Sequence, residues 1–280
     1  MKRSHEREEG LNQLNKILEN RSRVLIVHYS CESFLNPRGR TPRITSISIL
    51  KLGSEQAKSF SIHLSAQLLK LDFLSLSEVE YDQAEKHMLD TYFSYLRSHR
   101  NYKWVHWKML NSKYGFEAVC LRYEILGGTP ISIPDKNKYD LSDVLRQIYS
   151  SKFENNLPNG KLLNLAKRNR YALGESLTGK QEAEAFDEQK FQELYFSTLS
   201  KVRIIANFLN AAANRKLKVA AHPIRVHGIS LQLVKSHPIL STLYAAGTWL
   251  VLKMAEKAFD LLWSALAEQP LATVLTRYFN

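Results

Sequence analysis

The sequence RVLIVHYSCE, residues 23–32, predicts the strand around which the chain folds. Residues 24–27 form an unbroken apolar run, which is typical of a strand that is buried on both faces in the middle of a sheet. Two further stretches follow, residues 44–50 and 57–64, in which apolar and polar residues alternate. This alternation predicts two more strands, and the short connections predict that the three strands are antiparallel.

The composition bounds the class of protein. A chain of 280 residues that is 44% apolar and 24% charged is an ordinary globular sequence, long enough for one large core or two modest domains. Its 39 Lys and Arg exceed its 27 Asp and Glu by 12, which favours a polyanionic partner such as nucleic acid or an anionic membrane surface. Cys31 and Cys120 are too few for a disulfide framework, and the N-terminus is charged where a signal peptide needs an apolar segment. We therefore expect a cytoplasmic protein.

The chain becomes helical after the third strand. Ser77 and Glu80 predict a capping box that opens a helix reaching about Leu96. A crossover of this length normally joins parallel strands, so residues 103–109 are predicted to form a fourth strand parallel to the first. Later helices are predicted to end at Gly127–Gly128, to begin at Asp140, to cover 161–170, to begin at Thr178 and to cover about 188–213.

Three parts of the chain follow from these patterns: a leader helix over 1–22, an α/β domain over 23–213 and a helical extension over 214–280. Residues 236–252 contain no charged residue over 17 positions, which is the lower limit for a membrane span of about 17 to 25 residues. The apolar stripe continues beyond them beside a charged face, as in an amphipathic helix. We expect 219–280 to contact a protein partner or a second copy of the chain, with membrane contact as the alternative.

The predicted order of three antiparallel strands, a helix, a parallel strand and further helices resembles that of the RNase H-like folds. Over residues 23–213 it resembles, more narrowly, the DnaQ-like (DEDD) 3′-to-5′ exonuclease domain. That family carries an Asp-x-Glu pair near the end of its first strand, where both carboxylates face one side and converge on Mg²⁺ ions that activate water. The resemblance implies a mixed sheet flanked by helices and, if the protein is catalytically active, a requirement for Mg²⁺ or Mn²⁺.

One of the family's four carboxylates has a match in this chain. Glu32 stands at the second acid of the pair, and Ser30 stands at the first. Asn111 occupies the acid position after the fourth strand. In the last helix Tyr195 matches the general base, whereas Ser200 takes the place of the acid. A single carboxylate is too little charge for two metal ions. The resemblance therefore implies Glu32, Asn111 and Tyr195 as catalytic candidates in a degenerate site.

Other residues of the first strand leave a second chemistry open. By strand parity His28 and Glu32 face the same side, and His106 lies on the neighbouring strand. These three could form a metal site with two histidines and one carboxylate, or the histidines could be hydrogen-bonded core residues. Cys31 faces the opposite side, towards apolar neighbours, and is predicted to be inert.

Basic and aromatic residues supply candidate nucleic-acid contacts. Three arginines lie in the loop after the first strand, where substrate enters in the exonuclease family, and three more basic residues lie on a short helix and its exit. One tryptophan of the fourth strand could stack on bases, although aromatic residues of strands are also common in the core. The candidates are Arg38, Arg40, Arg43, Lys167, Arg168, Arg170 and Trp107.

From the sequence we expect a nucleic-acid-binding or assembly protein built on a catalytically degenerate exonuclease scaffold. One alternative is an active metal-dependent nuclease, the effector of a multi-protein system. The other is a membrane-associated or oligomerising scaffold that acts through the C-terminal helices.

Overall fold

The structure, a computed structural model, describes residues 2–32, 41–109, 114–222, 226 and 238–267. In chain order the elements are α1 (Lys2–Leu18), β1 (Val24–Cys31), β2 (Ile44–Lys51), β3 (Ala57–Ser61), α2 (Ile62–Leu68), α3 (Glu78–His99), β4 (Lys103–His106), α4 (Phe116–Ile125), β5 (Lys138–Asp140), α5 (Leu141–Tyr149), α6 (Lys161–Arg168), α7 (Gly179–Asp187), α8 (Phe191–Ala213) and α9 (Pro238–Ala267).

The strands form one mixed sheet in the order β3-β2-β1-β4-β5. The pairs β1–β2 and β2–β3 are antiparallel, whereas β1–β4 and β4–β5 are parallel. The predicted α/β fold is thereby confirmed, with the strand arrangement of the RNase H-like folds. The three residues of β5 were not predicted as a strand because they are too few to show an alternation.

The central strand β1 is buried on both faces, as its apolar run predicts. Leu25, Val27 and Tyr29 belong to a core cluster that includes α3 and α4. Val24 and Ile26 belong to a second cluster, on the other face, that includes α1, α5 and α8. A shift in the register of β1 would move its buried apolar side chains out of the two core clusters. The register is therefore fixed, and with it the positions of the residues at the end of β1.

The connection from β3 back to β4 contains one confirmed and one wrong expectation. The Ser77 hydroxyl accepts the amide of Glu80 and the Glu80 carboxylate accepts the amide of Ser77, so the predicted capping box opens α3. The third strand, however, ends at Ser61 instead of residue 64. The chain turns into α2 there because Ile62 and Ala66, four residues apart, are both fully buried on one helical face.

The chain divides into two compact units, residues 1–226 and 227–280. Helix α1 packs on α5 within the first unit, and a Cβ at Gly10 would lie 2.8 Å from Gln147 Cβ, so only glycine allows this approach. Residues after α8 also pack in this unit, since Lys218 donates its amide to Asn169 Oδ1 at 2.8 Å.

The second unit contains α9. Of the helices that the structure describes, none combines the length and the apolarity that a membrane crossing requires. The large apolar side chains of α9 are more than half exposed within this unit. They are Ile239, Leu243, Tyr244, Trp249, Leu250, Val251, Leu252, Met254, Phe259, Leu261, Leu262 and Trp263.

Candidate functional site

A cleft of about 390 Å³ opens at the carboxyl end of β1. Its walls come from α6, α7 and α8, together with Trp107 and Tyr114. This volume lies in the usual range of small-molecule sites, roughly 300 to 1,000 Å³. The polar residues that line it are His28, Ser30, Glu32, Asn159, Thr178, Glu182 and Lys201.

Glu32 reaches the cleft after an irregularity in β1. The register between β1 and β2 shifts between Ser30 and Cys31, and such a bulge re-aims the side chains that follow it. Glu32 is buried, donates its amide to the Arg43 carbonyl at 2.8 Å, and accepts the Arg43 amide on Oε2 at 3.3 Å. The main chain that leads into β2 therefore holds this carboxylate in place.

A salt bridge joins α7 to α8 in the cleft. The Lys201 ammonium donates to Glu182 Oε1 at 2.6 Å, and the Ser197 hydroxyl donates to the same oxygen at 2.8 Å. Ser197 and Lys201 are four residues apart and so lie on one face of α8. The Lys201 side chain is 8% exposed and that of Glu182 15%, so each charge depends on the other for compensation.

His28 and Ser30 form the buried floor of the cleft. They are 7% and 2% exposed, and no residue in the described part of the chain hydrogen-bonds to His28 Nδ1 or Ser30 Oγ. Burial lowers the pKa of His28 well below its ordinary value of 6.5, and the charge of Lys201 lowers it further, so the ring is neutral. A buried polar atom without a partner costs about 1 to 3 kcal/mol, which marks both atoms as positions for a ligand or water.

The donors of the cleft do not fit Mg²⁺ or Mn²⁺. Glu32 and Glu182 are its two carboxylates, and Glu182 already holds the Lys201 ammonium. Hard divalent cations take several anionic oxygens, and a neighbouring ammonium repels them. Within the described ranges, no group of three His, Cys, Asp or Glu side chains could hold a metal ion. Asn111 lies outside the described residues.

His106 cannot join His28 and Glu32 in a metal site. In the parallel register of β4 it lies on the other face of the sheet from His28, where its ring meets Phe116 at 5.3 Å. His106 Nδ1 accepts the Met109 amide at 3.1 Å, and burial lowers the pKa of the ring to about 3. The hypothesis of a two-histidine site is therefore wrong, and His106 is a hydrogen-bonded core residue.

Tyr195 does not lie in the cleft. Its ring packs edge-on against His63 of α2, with centroids 5.2 Å apart. Because α8 advances about 100° per residue, Tyr195 points to roughly the opposite side from Ser197, which does face Glu182. The Ser200 hydroxyl is also engaged elsewhere, since it accepts the Glu175 amide at 3.3 Å. The resemblance implied that Tyr195 is a general base in the cleft, and the direction in which α8 presents this residue shows that it is not.

Arg43 is buried, which corrects its interpretation as a phosphate contact. It is 3% exposed, and its Nη2 lies 2.6 Å from Glu78 Oε2 and 3.1 Å from Asp82 Oδ1. A guanidinium engaged in this way is not presented to a ligand. Arg38 and Arg40 lie outside the described residues, so their predicted role stays a prediction.

The basic residues at the end of α6, Lys167, Arg168 and Arg170, lie on the surface, and we call them the α6 basic cluster. Arg168 holds Glu154 through two hydrogen bonds of 2.5 and 3.1 Å. Lys167 lies in the last turn of α6, the helix that forms one wall of the cleft, and Arg170 lies in the turn that follows it; both side chains are exposed. They are therefore the members of the cluster best placed to contact a ligand that extends from the cleft.

Trp107 lines the cleft as part of the core. It is 8% exposed and packs against Phe153 and Phe208, with centroid distances of 6.3 and 5.8 Å. The sequence suggested that Trp107 could stack on bases, but too little of its ring is accessible for it to act as an open stacking platform. It instead forms an apolar boundary of the cleft.

Neither Glu182 nor Lys201 was among the site residues predicted from the sequence. Lys201 stands next to Val202 in the buried stripe of α8, and a lysine in such a stripe requires an anion. That signal indicates an internal partner but does not say which carboxylate it is. Thr178, which also lines the cleft, was predicted only as the start of α7.

Fold and site together define an α/β protein with a ligand-sized cleft at the carboxyl end of the central strand, where β1 pairs with an antiparallel strand on one side and a parallel strand on the other. Open α/β sheets bind ligands at such positions. The sequence matches no protein-family model, and a search of curated proteins gives no match.

Proposed function

We propose that this protein binds single-stranded nucleic acid through the cleft and the surface around it, on an exonuclease-like scaffold whose catalytic site is degenerate. One observation carries the proposal: the cleft lies in the unit that carries nearly all of the net positive charge of the chain. Residues 227–280 contain four Lys or Arg and three Asp or Glu, so a net charge of about +11 out of +12 belongs to residues 1–226. Such a charge balance supplies the affinity of most nucleic-acid-binding proteins.

The charges within the cleft support binding over two-metal hydrolysis. Glu182 is neutralised by Lys201, and Glu32 accepts a main-chain amide. Two-metal hydrolysis requires carboxylates that converge on the reacting phosphate. We infer that the scaffold keeps the position of an exonuclease site and uses it to hold a strand.

The α6 basic cluster supplies the phosphate contacts in this proposal. Lys167 and Arg170 have exposed side chains, and each phosphate neutralised on a single strand releases about 0.7 of a counterion. A strand that enters the cleft passes α6, because this helix forms one wall. Binding is therefore expected to depend on salt and to be largely independent of sequence outside the cleft.

The test compares two double variants by titration of labelled single-stranded DNA and RNA at several salt concentrations. Lys167→Ala/Arg170→Ala removes two charges beside the cleft. Arg97→Ala/Lys136→Ala removes two exposed charges just before β4 and β5, at the opposite edge of the sheet. The first variant is expected to bind more weakly with a salt slope reduced by about 1.4, and the second to bind like the unmodified protein. Equal affinities of the two variants would contradict the proposal.

A second candidate function, self-assembly, is favoured by the exposed apolar side chains of α9. Four of them are aromatic, and an aromatic side chain buries about 150 to 250 Å² when it is covered. A specific interface needs about 800 Å² from each partner, which this helix can supply together with its aliphatic residues. The charges of α9 balance, with Lys253 and Glu256 paired at 2.6 Å, so a second copy meets no repulsion there.

Light scattering of the full chain tests this candidate. An oligomer that dissociates in Leu250→Asp/Leu261→Asp, but persists in Glu256→Lys, which lies more than 100° around the helix from both leucines, supports assembly through α9. A monomer at micromolar concentration excludes it.

A further inference from the structure

The floor of the cleft is made of two polar side chains that the fold itself does not use. His28 Nδ1 and Ser30 Oγ are buried in the cleft without a hydrogen-bond partner among the described residues. The two residues are two positions apart on β1 and therefore face the same side. From their position we infer that the cleft binds the hydrogen-bonding edge of an unpaired nucleobase, an inference that rests on the proposed function.

The charges around the floor disfavour a phosphate there. Glu32 and Glu182 outnumber Lys201, and the ammonium of Lys201 already lies 2.6 Å from a carboxylate oxygen. An anion brought to this site would meet a net negative charge, whereas a neutral heterocycle pays no such Coulomb cost. The phosphates of the same strand instead lie outside, against the α6 basic cluster.

The chemistry of the floor matches the edge of a base. A neutral imidazole offers either a donor or an acceptor at Nδ1, according to its tautomer, and the hydroxyl of Ser30 can rotate to act as either. Burial lowers the pKa of His28 well below 6.5 and so keeps the ring neutral at physiological pH. Adjacent donors and acceptors on a base edge can therefore satisfy both atoms, as in single-stranded recognition by splayed bases.

The walls of the cleft match the faces of a planar ring. Leu162 and Leu163 come from α6 and Leu177 precedes α7, while Trp107 and Tyr114 add aromatic surface. Apolar walls with a few convergent polar atoms are the usual construction of a site for a small heterocycle. The volume of about 390 Å³ leaves room for a base with its sugar.

The experiment measures binding of adenosine, guanosine, cytidine and uridine by calorimetry and ligand-observed NMR in EDTA, with ribose 5-phosphate and inorganic phosphate as probes that lack a base. We expect at least one nucleoside to bind and neither phosphate probe to do so. Ser30→Ala should weaken nucleoside binding by about 2- to 12-fold, the effect of one hydrogen bond. Leu163→Trp, which fills the cleft, should abolish it.

Ser48→Ala is the matched control. Ser48 is buried on the same face of the sheet, but its hydroxyl bonds to Ser59 at 2.8 Å and Thr198 at 3.0 Å and does not line the cleft. It should leave nucleoside binding unchanged. Ser30→Ala removes a buried hydroxyl without a described partner, so it should fold as well as the unmodified protein, which thermal unfolding checks.

Absence of nucleoside binding at millimolar concentration overturns the inference, as does equal binding of ribose 5-phosphate or unchanged affinity in Ser30→Ala. If single-stranded nucleic acid binds while no nucleoside does, the proposed function stands and the base site is wrong. If neither binds, both are wrong.

Discussion

Lys201 Nζ lies 2.6 Å from Glu182 Oε1 and joins α8 to α7 inside the cleft at the carboxyl end of β1. The pair lines the same cleft as His28, Ser30 and Glu32. Since Lys201 is almost completely buried, its charge is part of the construction of the cleft and not of a solvated surface.

Lys201→Met is expected to destabilise the protein by about 2 to 3 kcal/mol, somewhat below the 3 to 5 kcal/mol typical of a fully buried pair. The substitution keeps most of the length of the side chain but leaves Glu182 with Ser197 as its donor. Urea denaturation measures the loss. The double variant Lys201→Met/Glu182→Gln should regain most of it, because no uncompensated charge then remains. Equal stability of the single and double variants would show that the pair is not coupled.

Arg122→Met is expected to cost about 3 to 5 kcal/mol. Arg122 binds the fully buried Glu85 through hydrogen bonds of 2.7 to 3.0 Å, and Glu85 Oε1 also accepts the amide of Ile44 at 2.7 Å. Removing the guanidinium therefore leaves the buried Glu85 carboxylate without this cation, in apolar surroundings at the start of β2. Glu85→Gln/Arg122→Met serves as the control, and a loss in the double variant as large as in Arg122→Met would argue against this cause.

Stability is expected to fall as the pH decreases from 6.5 towards 4. Burial lowers the pKa of His63 to about 4, that of His106 to about 3 and that of His28 well below 6.5, so the unfolded chain binds protons in this window that the folded chain does not. The stabilisation from the neutral rings is complete above the unfolded value and is lost by up to about 1.4 kcal/mol per pH unit for each ring.

Urea denaturation between pH 7 and pH 4.5 tests this dependence. Burial raises the pKa of Glu85, which opposes the histidines at the acidic end because the folded chain then binds a proton. His63→Gln should show a shallower slope than the unmodified protein. Identical slopes in the two proteins would contradict the assignment.

Arg43→Ala is expected to lower stability by about 1 to 3 kcal/mol without weakening nucleic-acid binding by the folded protein. The Arg43 guanidinium lies 4.1 Å from the centroid of the Tyr81 ring and also pairs with Glu78 and Asp82. Arg38→Ala/Arg40→Ala, in the loop outside the described residues, should instead reduce affinity and the salt slope at unchanged stability. Salt titrations and urea denaturation separate the two effects, and a binding defect confined to Arg43→Ala would contradict this division.

The scaffold was predictable because its signals are local. Four consecutive apolar residues at the start of β1 indicated burial on two faces, and Ser77 with Glu80 marked the start of α3. The end of β3 was misplaced because Ile62 fits both a period of two and the first turn of a helix. Packing against the rest of the fold decides between strand and helix at this position, and a short sequence pattern carries no information about packing.

The site was less predictable because it depends on the rotation of helices. The resemblance to the exonuclease family implied Tyr195, but the turn of α8 directs Ser197 and Lys201 to the cleft instead. The partner of Lys201 comes from α7, a separate helix, and no local pattern identifies Glu182. Strand parity did predict that Cys31 faces the apolar side, where burial raises the pKa of its thiol.

The most direct test of the central claim, a cleft that binds a strand without two-metal hydrolysis, uses one labelled single-stranded oligonucleotide in EDTA and in Mg²⁺ or Mn²⁺. Affinity and strand integrity are measured together for the unmodified protein and Glu32→Gln. The account predicts that metal does not raise the affinity above that in EDTA, since binding requires no metal ion, and that the strand stays intact in every sample. Metal-dependent cleavage that Glu32→Gln abolishes would contradict it.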